Sequence, residues 1–141
     1  MVRGASPFLR WAGSKRQLLP VLAAYWSDDY CRYVEPFAGS ACLFFHLQPP
    51  KALLADINQE LVLTYQVVRS HPHEVAAALG CLRKSRSNFL DLRAAVPTLL
   101  SAPQRAARFI YLNRFCFNGL YRTNRKGQFN VNLRCEAIQL Y

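Results

Sequence analysis

Two runs decide the fold: RYVEPFAGSACLFFHL, residues 32–47, and KALLADINQELVLTYQVV, residues 51–68. In the first, Tyr33 and Val34 favour an extended backbone, Pro36 stops the strand, and Gly39 relaxes the turn behind it. Ser40 is placed to cap a helix over 41–47, which Pro49-Pro50 then ends. The second run repeats the plan. Residues 52–55 read as a short buried strand with Asp56 at its C-terminal end, and Asn58 is a suitable N-cap. Leu61, Val62, Tyr65 and Val68 then recur at helical spacing. Strand–helix–strand–helix predicts an α/β unit built on a parallel sheet.

Downstream, residues 71–95 have a helical, polar-basic pattern with apolar Val75, Leu79, Leu82, Phe89 and Leu92. Pro97 and Pro103 bracket a connection, and PQRAARFIYLNRF, 103–115, predicts a helix with proline in its first turn. The pair Asn118-Gly119 and the alternation in GQFNVNL, 127–133, then suit a hairpin.

The chain has 141 residues, 52% of them hydrophobic, which fits one ordinary domain with a real core. Every apolar run is broken well short of the roughly 18 residues a membrane span needs. The start MVRGASPFLRWAG has no continuous apolar segment of the signal-peptide kind, so a cytoplasmic protein with no membrane partner is expected. Cys31, Cys42, Cys81, Cys116 and Cys135 are odd in number and form no CxxC pair. They read as buried free thiols, with no metal.

The net charge is +10, from 18 Lys and Arg against 8 Asp and Glu, and its distribution matters more than its size. No acid lies between Asp91 and Glu136, while Arg93, Arg105, Arg108, Arg114, Arg122, Arg125, Lys126 and Arg134 do. Arg3, Arg10, Lys15 and Arg16 occupy a second acid-free segment at the start. Such segments suit a polyanion, since phosphate contacts release counterions.

Three constellations could carry chemistry. EPFAGSA, 35–41, is followed by Asp56, 17 residues after Gly39. A glycine turn after a first strand admits a cofactor to the backbone, and an acid some 20 residues on can bind ribose hydroxyls. Here Ala41 replaces a second glycine, and an ordinary turn with an exposed acid is the competing reading. In FLRWAGSKRQLL, 8–19, Trp11 can stack on a flat group and Lys15 can meet a carboxylate; equally, Trp11 can be a core anchor and Lys15 solvated. In YLNRFCFNGLYRTNRKGQFNV, 111–131, rings and cations surround an Asn-Gly turn. Apolar side chains there could wedge between base steps and an arginine could bind guanine, or the segment could be a surface hairpin.

Taken in order, FLRWAGSKRQLLP, YVEPFAGSACLFF, ADIN and RFIYLNRFCFNGLYRTNRKGQFNV resemble the Dam-like adenine-N6 DNA methyltransferases over most of residues 7–131. The resemblance implies an incomplete Rossmann-like fold that uses S-adenosyl-methionine, with a helical and β-hairpin DNA-recognition region. Residues 1–70 would be the N-terminal part of the cofactor domain and 71–141 the recognition region. The cofactor would be held by Trp11, Lys15, Glu35, Phe37, Gly39, Asp56 and Ile57. Arg10, Asn113, Arg114, Phe117, Asn118, Leu120, Arg122, Asn124, Arg125 and Lys126 would meet double-stranded DNA. Among these, Phe117, Asn118, Leu120 and Arg122 would contact bases or wedge, and the target would be a short sequence such as GATC.

One family element is missing. The tetrapeptide Asp/Asn-Pro-Pro-Tyr/Phe, which positions adenine N6, occurs nowhere in the chain; the one Pro-Pro stands between Gln48 and Lys51. In addition, Asn132 stands where the family usually has proline. The expectation is an N-terminal portion that binds DNA weakly and does not methylate alone, with the missing half as a candidate partner. A non-catalytic DNA-binding module is the main alternative. An RNA methyltransferase and a nicotinamide-dependent oxidoreductase are the others, the last disfavoured by too few glycines in the turn.

Overall fold

A computed structural model describes residues 5–134; Arg3, Cys135 and Glu136 lie outside the described residues. By packing, the chain divides into two compact units that meet between Ile57 and Asn58. The helix that follows the second strand therefore belongs to the later unit by packing, whose division falls thirteen residues before the functional one expected from the sequence at 70/71.

The first unit holds a 3-10 turn at Lys15–Leu18, helix α1 (Leu19–Ala23), strand β1 (Tyr33–Glu35), helix α2 (Cys42–Leu47) and strand β2 (Ala52–Leu54). The strands pair in parallel, Tyr33 with Ala52, Val34 with Leu53 and Glu35 with Leu54. A parallel pair needs a crossover, and α2 supplies it. The backbone continues the pairing into the turn: Ala55 N–H donates to Glu35 O at 2.9 Å and Ala38 N–H to Ala55 O at 2.9 Å. Leu9, Tyr33, Ala38, Ala41 and Cys42 are buried. Edge-on ring contacts of Trp26 with Tyr33 (centroids 5.9 Å apart) and Phe8 with Phe45 (6.2 Å) thicken this small core.

Two expectations fail here. β2 is not buried: Leu53 is 55% exposed and its partner Val34 47%, because a two-stranded sheet leaves one face without a covering layer. Ser40 does not cap α2 either. The N-cap position falls on Ala41, at φ +49°, and the Ser40 hydroxyl donates instead to Ser14 Oγ at 3.2 Å.

The second unit is helical: α3 (Gln59–Ser70), α4 (Pro72–Gly80), α5 (Arg86–Ala94) and α6 (Ala102–Phe115). Asn58 does cap α3, its Oδ1 accepting from Leu61 N–H at 3.1 Å. The pattern over 71–95 resolves into two helices, since Ser85 prefers to cap and accepts from Asn88 N–H at 3.1 Å. α6 is the central element, packing on α3, α4 and α5. Ala106 and Ala107 let neighbouring helices approach, and Phe109, Tyr111 and Leu112 fill the interior with Phe89 and Val75. The Tyr111 hydroxyl donates to Arg83 O at 2.8 Å, tying the α4–α5 connection to α6.

α6 begins with a capping box: Gln104 N–H donates to Ser101 Oγ at 3.4 Å and Ser101 N–H to Gln104 Oε1 at 3.1 Å. Ser101→Ala is expected to lower unfolding stability by about 1 kcal/mol. Urea titration followed by circular dichroism checks this, with a shifted midpoint and an unchanged slope.

After α6 the chain forms an antiparallel ribbon, but its turn is not Asn118-Gly119. That pair lies in a 3-10 turn, Phe117–Gly119, with Asn118 at φ +52° and Gly119 at φ +65°. The arms that pair are 116 with 133 and 123 with 129. The tip is Asn124 to Gln128. Asn124 Oδ1 accepts from Lys126 N–H (2.9 Å) and Gln128 N–H (3.0 Å), and Gly127 takes φ +75°. Asparagine opening a turn with glycine three places later is a sequence signal for that turn, and the Asn-Gly pair masked it.

The cysteines also differ from expectation. Cys42 and Cys116 are buried thiols, whereas Cys31 and Cys81 are exposed. Cys116 Sγ donates to Leu120 O at 3.2 Å. No helix of the described residues is long and apolar enough to cross a membrane.

Candidate functional site

The C-terminal ends of β1 and β2 open onto a cleft of about 300 Å³ within the first unit. Ligands of open α/β sheets bind at this end of the strands. Six of the seven residues expected to hold a cofactor line the cleft: Trp11, Lys15, Glu35, Phe37, Gly39 and Asp56. The seventh, Ile57, is 97% exposed and does not line it. Ala12, Gly13, Ser14, Ala38, Ser40 and Cys42 complete the wall; sequence reading did not single them out as site residues.

Asp56 fixes the turn. Its Oδ2 accepts from Gly39 N–H at 3.0 Å, so the carboxylate and the glycine turn are held together across the strand ends. Gly39 has φ +49°, and a Cβ added there would lie 2.6 Å from Trp11 Cδ1. Glycine is thus required twice, by the left-handed backbone and by the indole resting against it. Ala41, where a second glycine was expected, also takes φ +49° with its methyl fully buried. An alanine in this conformation costs about 1 kcal/mol, yet the turn is kept.

Gly39→Ala is expected to push the Trp11 ring aside. The indole fluorescence should shift. Fluorescence of a Trp26→Phe background, in which Trp11 is the remaining indole, checks the displacement.

Glu35 is buried at 7% exposure but not isolated. Its Oε2 accepts from the Tyr33 hydroxyl at 2.9 Å, and Lys15 Nζ lies 3.8 Å from Oε1. Burial first, then the Glu35 hydrogen bond and charge, push the Tyr33 phenol far above its ordinary value, so it stays a donor. The cleft thus offers two carboxylates, an ammonium, a flat indole and the exposed Phe37 ring on one rim. That donor set can meet hydroxyls, opposite charges and a flat ring system in one ligand.

The residues expected at DNA are distributed unevenly. Arg10 belongs to the first unit, where it is half-buried. In the second unit Arg114, Phe117, Asn118, Arg122, Asn124, Arg125 and Lys126 are exposed on the helix end and ribbon. Asn113 is 2% exposed, and its Nδ2 donates to Gly119 O at 3.2 Å, so its amide supports the 3-10 turn from behind. Leu120 is partly buried against the core around Phe89 and Leu112. Arg122 Nε donates to Asn130 Oδ1 at 3.0 Å, which aims its guanidinium along the ribbon.

Two inner arginines contribute structure. Arg105 grips both Glu60 oxygens through Nε, at 3.0 and 3.1 Å, and through Nη2. That hydrogen bond raises its pKa above the usual arginine value. Arg108 is 3% exposed and donates to Leu92 O at 2.6 Å and Arg93 O at 3.3 Å, closing the end of α5; burial lowers its pKa.

The chain matches the family described as D12 class N6 adenine-specific DNA methyltransferase over residues 11–139. It is 40% identical over 131 residues to a Type II methyltransferase of Lactococcus lactis subsp. cremoris, covering 89% of this chain and 46% of that protein. A Type II methyltransferase of Methanocaldococcus jannaschii is 33% identical over 150 residues, covering 89% and 50%. The DNA adenine methylase of Salmonella typhi is 36% identical over 128 residues, covering 88% and 46%. The chain spans about half the length of these curated relatives.

Proposed function

The chain belongs to the D12 class N6 adenine-specific DNA methyltransferase family, and we propose that it carries two parts of that activity: the S-adenosyl-methionine cradle and the target-recognition arm. The observation that carries this reading is the shared cleft of Trp11, Lys15, Glu35, Gly39 and Asp56. In this proposal the first unit is part of a Rossmann-like cofactor domain.

Asp56 takes the ribose hydroxyls, as the acid at the end of a second strand does. Lys15 and Glu35 hold the charged ends of the amino-acid portion, and Trp11 and Phe37 flank the flat base. The cofactor supplies an electrophilic methyl group. The chain's own residues bind, orient and shield. In the second unit, the exposed cations Arg114, Arg122, Arg125 and Lys126 hold phosphates of duplex DNA, and Phe117, Asn118 and Leu120 of the 3-10 turn and its exit contact or wedge between bases. Asn113 acts from behind, through the turn it braces.

Adenine N6 must leave the base stack to react, and a flipped base has to be gripped by hydrogen bonds and stacking. The tetrapeptide that does this in the family is not among these 141 residues. The chain by itself is therefore expected to bind without transferring. Incorporation of labelled methyl into duplex DNA checks this: purified chain alone should give background counts. Transfer at the rate of a full-length relative would refute it. A non-catalytic DNA-binding module is the second reading, favoured by the same missing tetrapeptide. Calorimetric titration with S-adenosyl-methionine separates the two, since a folded module without the cradle gives no heat.

A further inference from the structure

Tyr33 stands on β1 two residues before Glu35, so both side chains leave the strand on the same face. Its ring is packed among others: the centroids of Trp26 and Phe44 lie 5.9 and 6.4 Å away. A phenylalanine would fill that place equally well. The hydroxyl is the surplus, and a buried hydroxyl needs a partner. Its partner is Glu35 Oε2, at 2.9 Å. Glu35 lines the cofactor cleft and Tyr33 does not, so this hydrogen bond reaches the cleft wall from behind.

The two oxygens of Glu35 are consequently unlike. Oε2 is committed to Tyr33. Oε1 lies 3.8 Å from Lys15 Nζ, too far for a hydrogen bond, and that ammonium stands on an exposed side chain. The carboxylate is therefore fixed on its Tyr33 side and loosely paired on its Lys15 side, where the cleft opens. Burial, then the hydrogen bond and charge of Glu35, raise the Tyr33 pKa far above its ordinary value, so the hydroxyl remains a donor at neutral pH.

We propose that Tyr33 is a positioning residue: by holding Oε2 it presents Oε1 of Glu35 to a cationic group of the ligand. It thereby favours a nucleoside that carries an amino-acid ammonium over the same nucleoside without one. This assignment rests on the S-adenosyl-methionine reading of the cleft and adds to it a determinant of specificity that touches no ligand atom.

The test is calorimetric titration of the full chain with two neutral thioethers. S-adenosyl-homocysteine keeps the amino-acid end, and 5′-methylthioadenosine lacks it. Tyr33→Phe should weaken the first about tenfold, the effect of one charge-assisted hydrogen bond, and change the second less than about twofold. The Ser40–Ser14 hydrogen bond still ties the 11–15 loop to the glycine turn in this variant, so the rest of the cleft should persist. In a Glu35→Gln background, where the charge is already gone, Tyr33→Phe should change the affinity for S-adenosyl-homocysteine less than about twofold. Equal weakening of both ligands would make Tyr33 a packing residue. That result, an unchanged affinity for S-adenosyl-homocysteine, or a full effect in the Glu35→Gln background would overturn the proposal and leave the cofactor reading standing. A folded parent chain that binds neither ligand would overturn both. If Tyr33→Phe misfolds, the hydroxyl proton resonance of Tyr33 in the parent decides. It should move with S-adenosyl-homocysteine and stay with 5′-methylthioadenosine, and any other pattern overturns the proposal.

Discussion

Asp56→Ala is expected to abolish measurable S-adenosyl-methionine binding, an effect of about 100-fold or more. Two losses combine. A carboxylate accepting hydrogen bonds from ribose hydroxyls contributes roughly 1.5–3 kcal/mol, and about 1.4 kcal/mol is a factor of ten in affinity. The same carboxylate also accepts from Gly39 N–H at 3.0 Å, so its removal leaves the turn on which Trp11 rests without its anchor. Asp56→Asn separates the two. Its amide oxygen can still accept from Gly39, so the Trp11 fluorescence should stay as in the parent while affinity falls by a smaller factor, from loss of charge alone. Calorimetry on both variants, with circular dichroism to verify folding, is the measurement. Unchanged affinity in Asp56→Ala would remove the cofactor reading at its root, because no other acid in the cleft follows the second strand.

The parts of this site that sequence made legible were those set by local backbone chemistry. Tyr33, Pro36 and Gly39 announce a strand and a turn, and Asn58 announces the helix after the second strand; each acts within a few residues, and each is where the sequence pattern put it. Failures came where a residue's role depends on distant neighbours. Ser40 has the composition of a cap, but a hydroxyl 26 residues away accepts its hydrogen bond. Leu53 is a strand residue of a kind that is usually buried, yet it is exposed; whether a face is covered depends on layers that no local pattern encodes. At the ribbon two turn signals compete. Asn118-Gly119 is the stronger hairpin pair by composition. Yet Asn113, buried on α6, holds Gly119 O and fixes that pair as the exit of the helix, leaving Asn124 and Gly127 to reverse the chain. The inner cations show the same limit. Arg105 and Arg108 look identical to Arg122 and Arg125 in a charge count, but the first two are committed to Glu60 and to the end of α5. The exposed cationic charge is therefore smaller than the acid-free segment suggests.

That distinction sets a quantitative expectation for DNA. Replacing Arg122, Arg125 and Lys126 together by glutamine removes three exposed cations from the ribbon without touching a buried side chain. If each meets one phosphate, the slope of log affinity against log salt should become shallower by about 2.7, at roughly 0.9 per phosphate. Between 50 and 200 mM salt, a fourfold range, the parent's advantage over the variant should then shrink about 40-fold. Fluorescence anisotropy of a labelled duplex across that range reads both numbers. Asn124 Oδ1 and Gly127 still build the tip in the variant, so its backbone signals should persist. Arg105→Gln is the contrasting case. It breaks the grip on Glu60 between α6 and α3, so it should lower stability while leaving the salt slope near that of the parent. A triple variant whose slope equals the parent's would mean that the ribbon does not meet phosphates, and the DNA-facing surface would have to be sought on Arg114 and the other exposed cations of the helices.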